Sequence, residues 1–237
     1  MTTDKAGVTN ATIVTVAAAA VGGAVAAVAT LALLGLLETG RRRIRRKVPE
    51  KTLVRVSRNT RYVISTSGRP QSVRRYNVLL QDILGEDIAY LPMSSGAPDG
   101  RIKAEHFAAV LRSWRALGGA ISRDIKSKIA PFLDHVDKQS EATGSVNTVV
   151  RRGEKLFGYN TDATGFRKAV AKAFEDKDKA PSSALVYGYG GVTRTVVYVL
   201  QQLGISRGSI FLTGRRIDVA KQVALELGVS VFDPNVV

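Results

Sequence analysis

Apolar positions along the chain switch between two periods. Short runs rich in β-branched and aromatic residues, bounded by turn residues, predict strands at Arg61–Ser65, Ile88–Met93, Ala120–Ser122, Ala184–Tyr187, Ser209–Thr213 and Val229–Phe232. Between them the spacing lengthens. Val73, Tyr76, Val78, Leu79, Leu80, Ile83 and Leu84 lie on one helical face, predicting a helix over 73–84 that stops at Gly85. Further helices are predicted over 106–117, closed by Gly118-Gly119, over 162–174, from Arg194 to Leu203 and over 219–227. Val149 to Phe157, apolar on both sides of Gly153, reads as a β-hairpin that brings Asn147 and Asp162 to one end, facing the same cleft. Strands alternating with helices imply an α/β fold with a mostly parallel sheet. The charged stretch Glu175–Lys179 and Pro181-Ser182 mark a junction, giving an α/β domain over 48–180 and a second, βαβ-containing domain over 181–237.

The first 47 residues follow neither period. No charged residue occurs from Ala6 to Leu37, and Ala11–Leu37 is Ala/Val/Leu-rich. Roughly 20 apolar residues suffice to span a bilayer. Arg41, Arg42, Arg43, Arg45, Arg46 and Lys47 follow, so the expectation is a membrane anchor over 1–47 with the rest of the chain on the cytoplasmic side, at the inner face of the membrane. A buried Ala-rich helix, or upstream sequence read from a mis-assigned start, are the other readings. The absence of cysteine and the presence of only two histidines exclude disulfides, thiolate metal sites and a His-rich metal centre. A net charge of +15 favours an anionic partner. Sparse aromatics and the lack of a zinc-finger, basic-zipper or RNA-recognition signature argue against nucleic acid.

Chemistry concentrates in two places. The first is Gly144-Ser145-Val146-Asn147-Thr148 followed by Gly158-Tyr159-Asn160-Thr161-Asp162-Ala163-Thr164-Gly165-Phe166. Asn supplies one acceptor and two donors and Asp supplies acceptors, a combination suited to a substrate with several hydroxyl groups; two Asx-type turns at a hairpin are the alternative. The second is Gly188-Tyr189-Gly190-Gly191-Val192-Thr193-Arg194, a Gly-rich turn from strand to helix able to hold a pyrophosphate on backbone N–H groups. Gly214-Arg215-Arg216 at the tip of the next strand carries no acidic residue, which favours NADP over NAD.

The first segment resembles the G-A-V-N-T … G-x-N-T-D-x-x-G-F signature of the shikimate dehydrogenase family, with Ser145 for the usual Ala. The second resembles that family's G-A-G-G-x-x-R, and Gly214-Arg215-Arg216 stands where NADP-using members have N-R-[ST]. The family's N-V-T-x-P-x-K and P-x-L-D-x-x-D segments align without a gap on Ala120–Lys126 and Pro131–Asp137. The resemblance implies a substrate domain followed by a Rossmann domain, and reversible NADPH-dependent reduction of 3-dehydroshikimate to shikimate. It assigns the proton chemistry to Lys126 and Asp162, and substrate binding to Asn147, Asp162 and Ser72. Cofactor contacts fall to Gly188, Gly190, Gly191, Arg194, Arg215 and Arg216. The chain departs from the pattern at Ala120 (Asn in the family), at Asp124 (Pro in the family) and in the serine loop, where Ser72 is the surviving hydroxyl and Arg74 and Arg75 stand beside it. It also stops at Val237, where the family continues. A dehydrogenase for quinate or another polyhydroxy acid, and a non-catalytic, membrane-tethered or truncated relative, therefore stand as alternatives.

Overall fold

The computed structural model describes residues 13–17, 54–66, 69–94, 101–113, 115–174 and 181–236. They fall into two compact units, one ending at Asp162 and the other joining residues from Ala163 onward to Ile13–Ala17.

The first unit is built on a six-stranded sheet. In chain order it comprises β2 (Arg61–Ser65), α1 (Pro70–Asn77), β3 (Ile88–Pro92), α2 (Ala104–Ser113), β4 (Ala116–Ala120), β5 (His135–Val136), α3 (Lys138–Thr143), β6 (Thr148–Arg152) and β7 (Lys155–Tyr159). The strand order is β3-β2-β4-β6-β7-β5. β2 pairs in parallel with β3 and β4, and β5 with β7, whereas β4–β6 and β6–β7 are antiparallel. The sheet is thus mixed, because the hairpin at Gly153 forces its two arms antiparallel. One core packs Ile64, Phe107, Leu111, Ile121, Ile129, Val146, Val149 and Leu156; a second packs Val63, Tyr76, Leu80, Ile88 and Tyr90.

The glycine pair after α2 corrects the sequence reading. Gly118 and Gly119 do not end a helix; they lie inside β4, which starts at Ala116, and α2 ends at Ser113. A Cβ on Gly119 would stand 2.8 Å from the ring of the fully buried Phe107, and one on Gly118 would run into the carbonyl oxygen of Val149. The glycines let α2 and β6 approach the strand closely. The predicted helix over 73–84 is also two structures: α1 and a π-helical turn at Val78–Ile83.

The second unit holds β1 (Ile13–Ala17), α4 (Thr161–Ala173, from Ala163 on), β8 (Ser183–Tyr187), α5 (Thr193–Gln202), β9 (Ile210–Thr213), α6 (Ile217–Leu227) and β10 (Ser230–Val231). Its sheet is parallel throughout in the order β1-β8-β9-β10, and Val186, Val196, Leu200, Ile210, Leu212, Ala220 and Ala224 form its core. The parallel β8-α5-β9-α6-β10 succession is the Rossmann-type arrangement expected. Ile13–Ala17 was expected inside a membrane helix and is instead a strand beside β8, consistent with its run of β-branched residues. The remainder of the expected anchor lies outside the described residues. Among the described residues no helix is long and apolar enough to cross a membrane.

Asn77 secures the outer edge of the six-stranded sheet. Its buried amide accepts the N–H of Tyr90 at 2.8 Å and donates to the carbonyls of Tyr90 at 2.8 Å and Val73 at 2.9 Å, so one side chain satisfies both main-chain groups of Tyr90 on the open side of β3. Asn77→Ala leaves two buried backbone groups without partners and should cost about 2–3 kcal/mol, read as a lowered urea midpoint with an unchanged slope.

Candidate functional site

The polar site of the first unit grows from the end of the hairpin. β6 and β7 pair with Thr148 opposite Tyr159, and the N–H of Asn147 donates to the carbonyl of Tyr159 at 3.0 Å. Asn147 therefore sits beside the residues that open α4. Its entry is set by α3: Asp137 caps that helix by accepting the N–H of Ser140 at 2.8 Å, and Gly144 closes it at φ 62°. Asn147 Oδ1 accepts the backbone N–H of Thr161 at 2.9 Å and the hydroxyls of Thr161 and Thr148 at 3.2 Å each. A backbone donor on Oδ1 settles which way the amide faces, and the fully buried Asn147 keeps Nδ2 for something else.

Lys126 arrives from a different direction. After β4 the chain makes a 3-10 turn over Arg123–Ser127, and the carbonyl of Lys126 accepts the N–H of Val146 at 2.9 Å. Its ammonium reaches Asp162 Oδ2 at 2.6 Å, both side chains being about nine-tenths or more buried at 10% and 6% exposure. Asp162 Oδ1 and Asn147 Nδ2 are buried without a hydrogen-bonding partner among the described residues. Each such group costs on the order of 1–3 kcal/mol, a cost that a bound hydroxyl or carbonyl can remove. The site thus offers a charged donor, a buried acceptor and a neutral donor.

Ser72 comes from another element of the first unit. It is half-buried in the first turn of α1, and its hydroxyl is not among the partners of Lys126, Asp162 or Asn147. Another hydroxyl pair lies at the carboxyl ends of β2 and β4, where Thr66 Oγ1 accepts the N–H of Ser122 at 2.8 Å and the two hydroxyls lie 3.2 Å apart. The sequence reading missed Thr148 and Thr161 as partners of Asn147, and Thr66 as the partner of Ser122. The repeated Asn-Thr pairs were the available signal for the first two; no local signal marks Thr66, whose partner is 56 residues away.

The second unit carries the glycine turn. Gly188, at φ 121°, donates its N–H to the carbonyl of Thr213 at 2.8 Å, tying the turn to the end of β9. Thr193 anchors the helix start: its hydroxyl donates to the Gly188 carbonyl at 3.1 Å and its N–H to the Gly190 carbonyl at 2.9 Å. Neither Gly190 nor Gly191 is buried, and a Cβ at either would meet no atom within 4 Å, so the backbone is open to a ligand that must approach closely. α5 has no side-chain N-cap. This arrangement fits a dinucleotide pyrophosphate. Arg194, by contrast, pairs with Glu226 of α6 at 2.6 Å. Arg215 and Arg216 are exposed at the tip of β9, and Arg216 lies 5.9 Å from the ring centre of Tyr189. A hydrogen bond to Arg216 draws the Tyr189 hydroxyl below its usual range, helped by the positive charge of Arg215.

These features define an α/β protein with a Rossmann-type unit and, in its other unit, a buried Lys–Asp pair beside an oriented Asn. No family model matches the sequence. Individual relatives do. The shikimate dehydrogenase (NADP(+)) of Halothermothrix orenii is 33% identical over 174 residues, 70% of this chain and 56% of the relative. The crystal structure of shikimate dehydrogenase from Aquifex aeolicus superposes with a TM-score of 0.60 at 29% identity, covering 76% of this chain and 65% of that one. The shikimate 5-dehydrogenase of Thermus thermophilus, solved with NADP(H) and shikimate, gives a TM-score of 0.55 at 26% identity over 73% of this chain and 63% of that one. Over most of its length the chain is thus similar to shikimate dehydrogenases, in sequence and in fold. It spans about half the length of the curated relatives it matches.

Removing one partner of the buried pair strands the other. Lys126→Met should destabilise the protein by about 3–5 kcal/mol, and adding Asp162→Leu should recover much of that loss. Denaturation of the two single variants and the double variant measures the coupling; strictly additive losses would show that the two charges do not depend on each other.

Proposed function

We propose that the chain catalyses the reversible NADPH-dependent reduction of 3-dehydroshikimate to shikimate. The observation that carries the proposal is the buried Lys126–Asp162 pair at 2.6 Å, with Asp162 Oδ1 and Asn147 Nδ2 left unpartnered beside it. When bound, NADPH supplies a hydride to the carbonyl carbon, and the protein's task is the matching proton. Lys126 donates to the oxygen as it gains charge, while Asp162 keeps the ammonium oriented and accepts from a neighbouring hydroxyl. Asn147 Nδ2 donates to a second oxygen of the ring, its amide held by Thr161 and Thr148. Ser72 supplies a hydroxyl toward the substrate carboxylate. The likeness to a relative solved with NADP(H) and shikimate supports both ligands.

In this reading residues 48–180 carry the substrate-binding domain and 181–237 carry the NADP-binding residues. Gly188, Gly190, Gly191 and Arg194 would line the pyrophosphate, and Arg215 and Arg216 would meet the 2′-phosphate. The open backbone at Gly190 and Gly191 supports the first assignment, and the exposed pair of arginines at the tip of β9 supports the second.

The test is NADPH formation from shikimate and NADP⁺ by the purified chain, with Lys126→Ala beside it. Loss of a positioned acid–base group should lower turnover by about 100-fold or more. Circular dichroism establishes that the variant is folded. A folded Lys126→Ala protein with wild-type turnover would sink the assignment.

A further inference from the structure

The glycine turn contains a residue that the turn itself does not need. Tyr189 stands between Gly188 and Gly190, where the backbone bonds of the turn run through Gly188, Gly190 and Thr193. Its half-buried ring is laid across Gly214 on the neighbouring loop, so closely that a Cβ on Gly214 would lie 2.6 Å from Tyr189 Cε1. The two loops are therefore matched: an aromatic on one requires a glycine on the other. Beyond Gly214 the same ring faces Arg216, whose guanidinium carbon is 5.9 Å from the ring centre, and the guanidinium draws the phenol below its usual range. Arg215 lies near the hydroxyl, and Asp218 in the first turn of α6 lies near Arg216.

An exposed arginine at a loop tip loses much rotamer freedom when it grips an anion. A ring holding the guanidinium removes part of that loss before the ligand arrives. We propose that Tyr189 is a positioning residue for Arg216, and that by holding it at the tip of β9 it sets the preference for a 2′-phosphorylated over an unphosphorylated adenine nucleotide. The inference rests on the reading of this turn as a nucleotide site, and adds a residue that acts through Arg216. A guanidinium held beside a ring keeps N–H groups for a phosphate, the bidentate partner that a ribose hydroxyl does not reward.

The experiment compares two probes differing only in the 2′-phosphate, adenosine 2′,5′-bisphosphate and adenosine 5′-monophosphate, by calorimetric titration of the full chain. Tyr189→Ala should cut the preference for the bisphosphate about 5- to 20-fold, the scale of one charge-assisted contact, while monophosphate affinity stays within about twofold. Tyr189→Phe retains the ring without the hydroxyl and should recover part of the preference. Gly214→Ala displaces the ring with Tyr189 intact and should reproduce the loss, which guards against misfolding of the alanine variant. Preference for the bisphosphate undiminished in folded Tyr189→Ala and Gly214→Ala would overturn the inference alone. Tighter binding of both probes to those variants would also overturn it, by showing that the ring blocks the site. A wild-type chain that binds neither probe would overturn the nucleotide reading and this inference together.

Discussion

The bond from the backbone N–H of Thr161 to the side-chain oxygen of Asn147, 2.9 Å long, is the constraint on which the polar site of the first unit depends. A helix starts with N–H groups that no helical carbonyl satisfies. Here the first turn of α4 finds an acceptor on the residue just before the strand that begins at Thr148, so the helix start is docked on the hairpin at a set point. Asp162 follows in that first turn, where the helix dipole favours a negative charge. The carboxylate then meets Lys126, delivered by the turn after β4. One acceptor atom thus organises three chain segments.

That bond also fixes the donor side of Asn147. With Oδ1 committed to three donors, Nδ2 remains buried without a partner among the described residues. The same holds for Asp162 Oδ1, since its other oxygen is taken by Lys126. Groups of this kind are retained at a cost to stability, and cores without a binding role avoid them.

The second unit works by backbone shape. Its glycines leave the turn after β8 open, and the tie from Gly188 to Thr213 aligns that turn with the tip of β9. The features that distinguish it are the side chains at the rim: Arg215, Arg216 and Tyr189. In the proposed reading a turn of bare N–H groups accepts any pyrophosphate, and discrimination among nucleotides falls to whatever stands at that rim.

Much of this was legible in the sequence. The strand periods, the hairpin at Gly153 and the glycine turn at Gly188–Gly191 follow from local rules of alternation and turn chemistry. The Asn-Thr and Asn-Thr-Asp segments marked the site, because hairpin register alone brings Asn147 near Thr161. Other features depended on contacts that no local rule encodes. Gly118-Gly119 has the signature of a helix stop, yet it lies in a strand because Phe107 and Val149 leave no room for a Cβ. Ile13–Ala17 carries the hydropathy of a membrane segment, and hydropathy does not tell an apolar parallel strand from an apolar helix. Arg194 fits the family's pattern, but Glu226 on another helix holds it. The sequence by itself determined which residue types are available, where the chain turns and which short segments carry chemistry, since those depend on neighbours a few residues apart. The tertiary structure alone decided the pairing of Lys126 with Asp162, of Thr66 with Ser122 and of Tyr189 with Gly214 and Arg216. Those partners meet only when distant strands and loops close on one another, and burial and steric fit act at that stage.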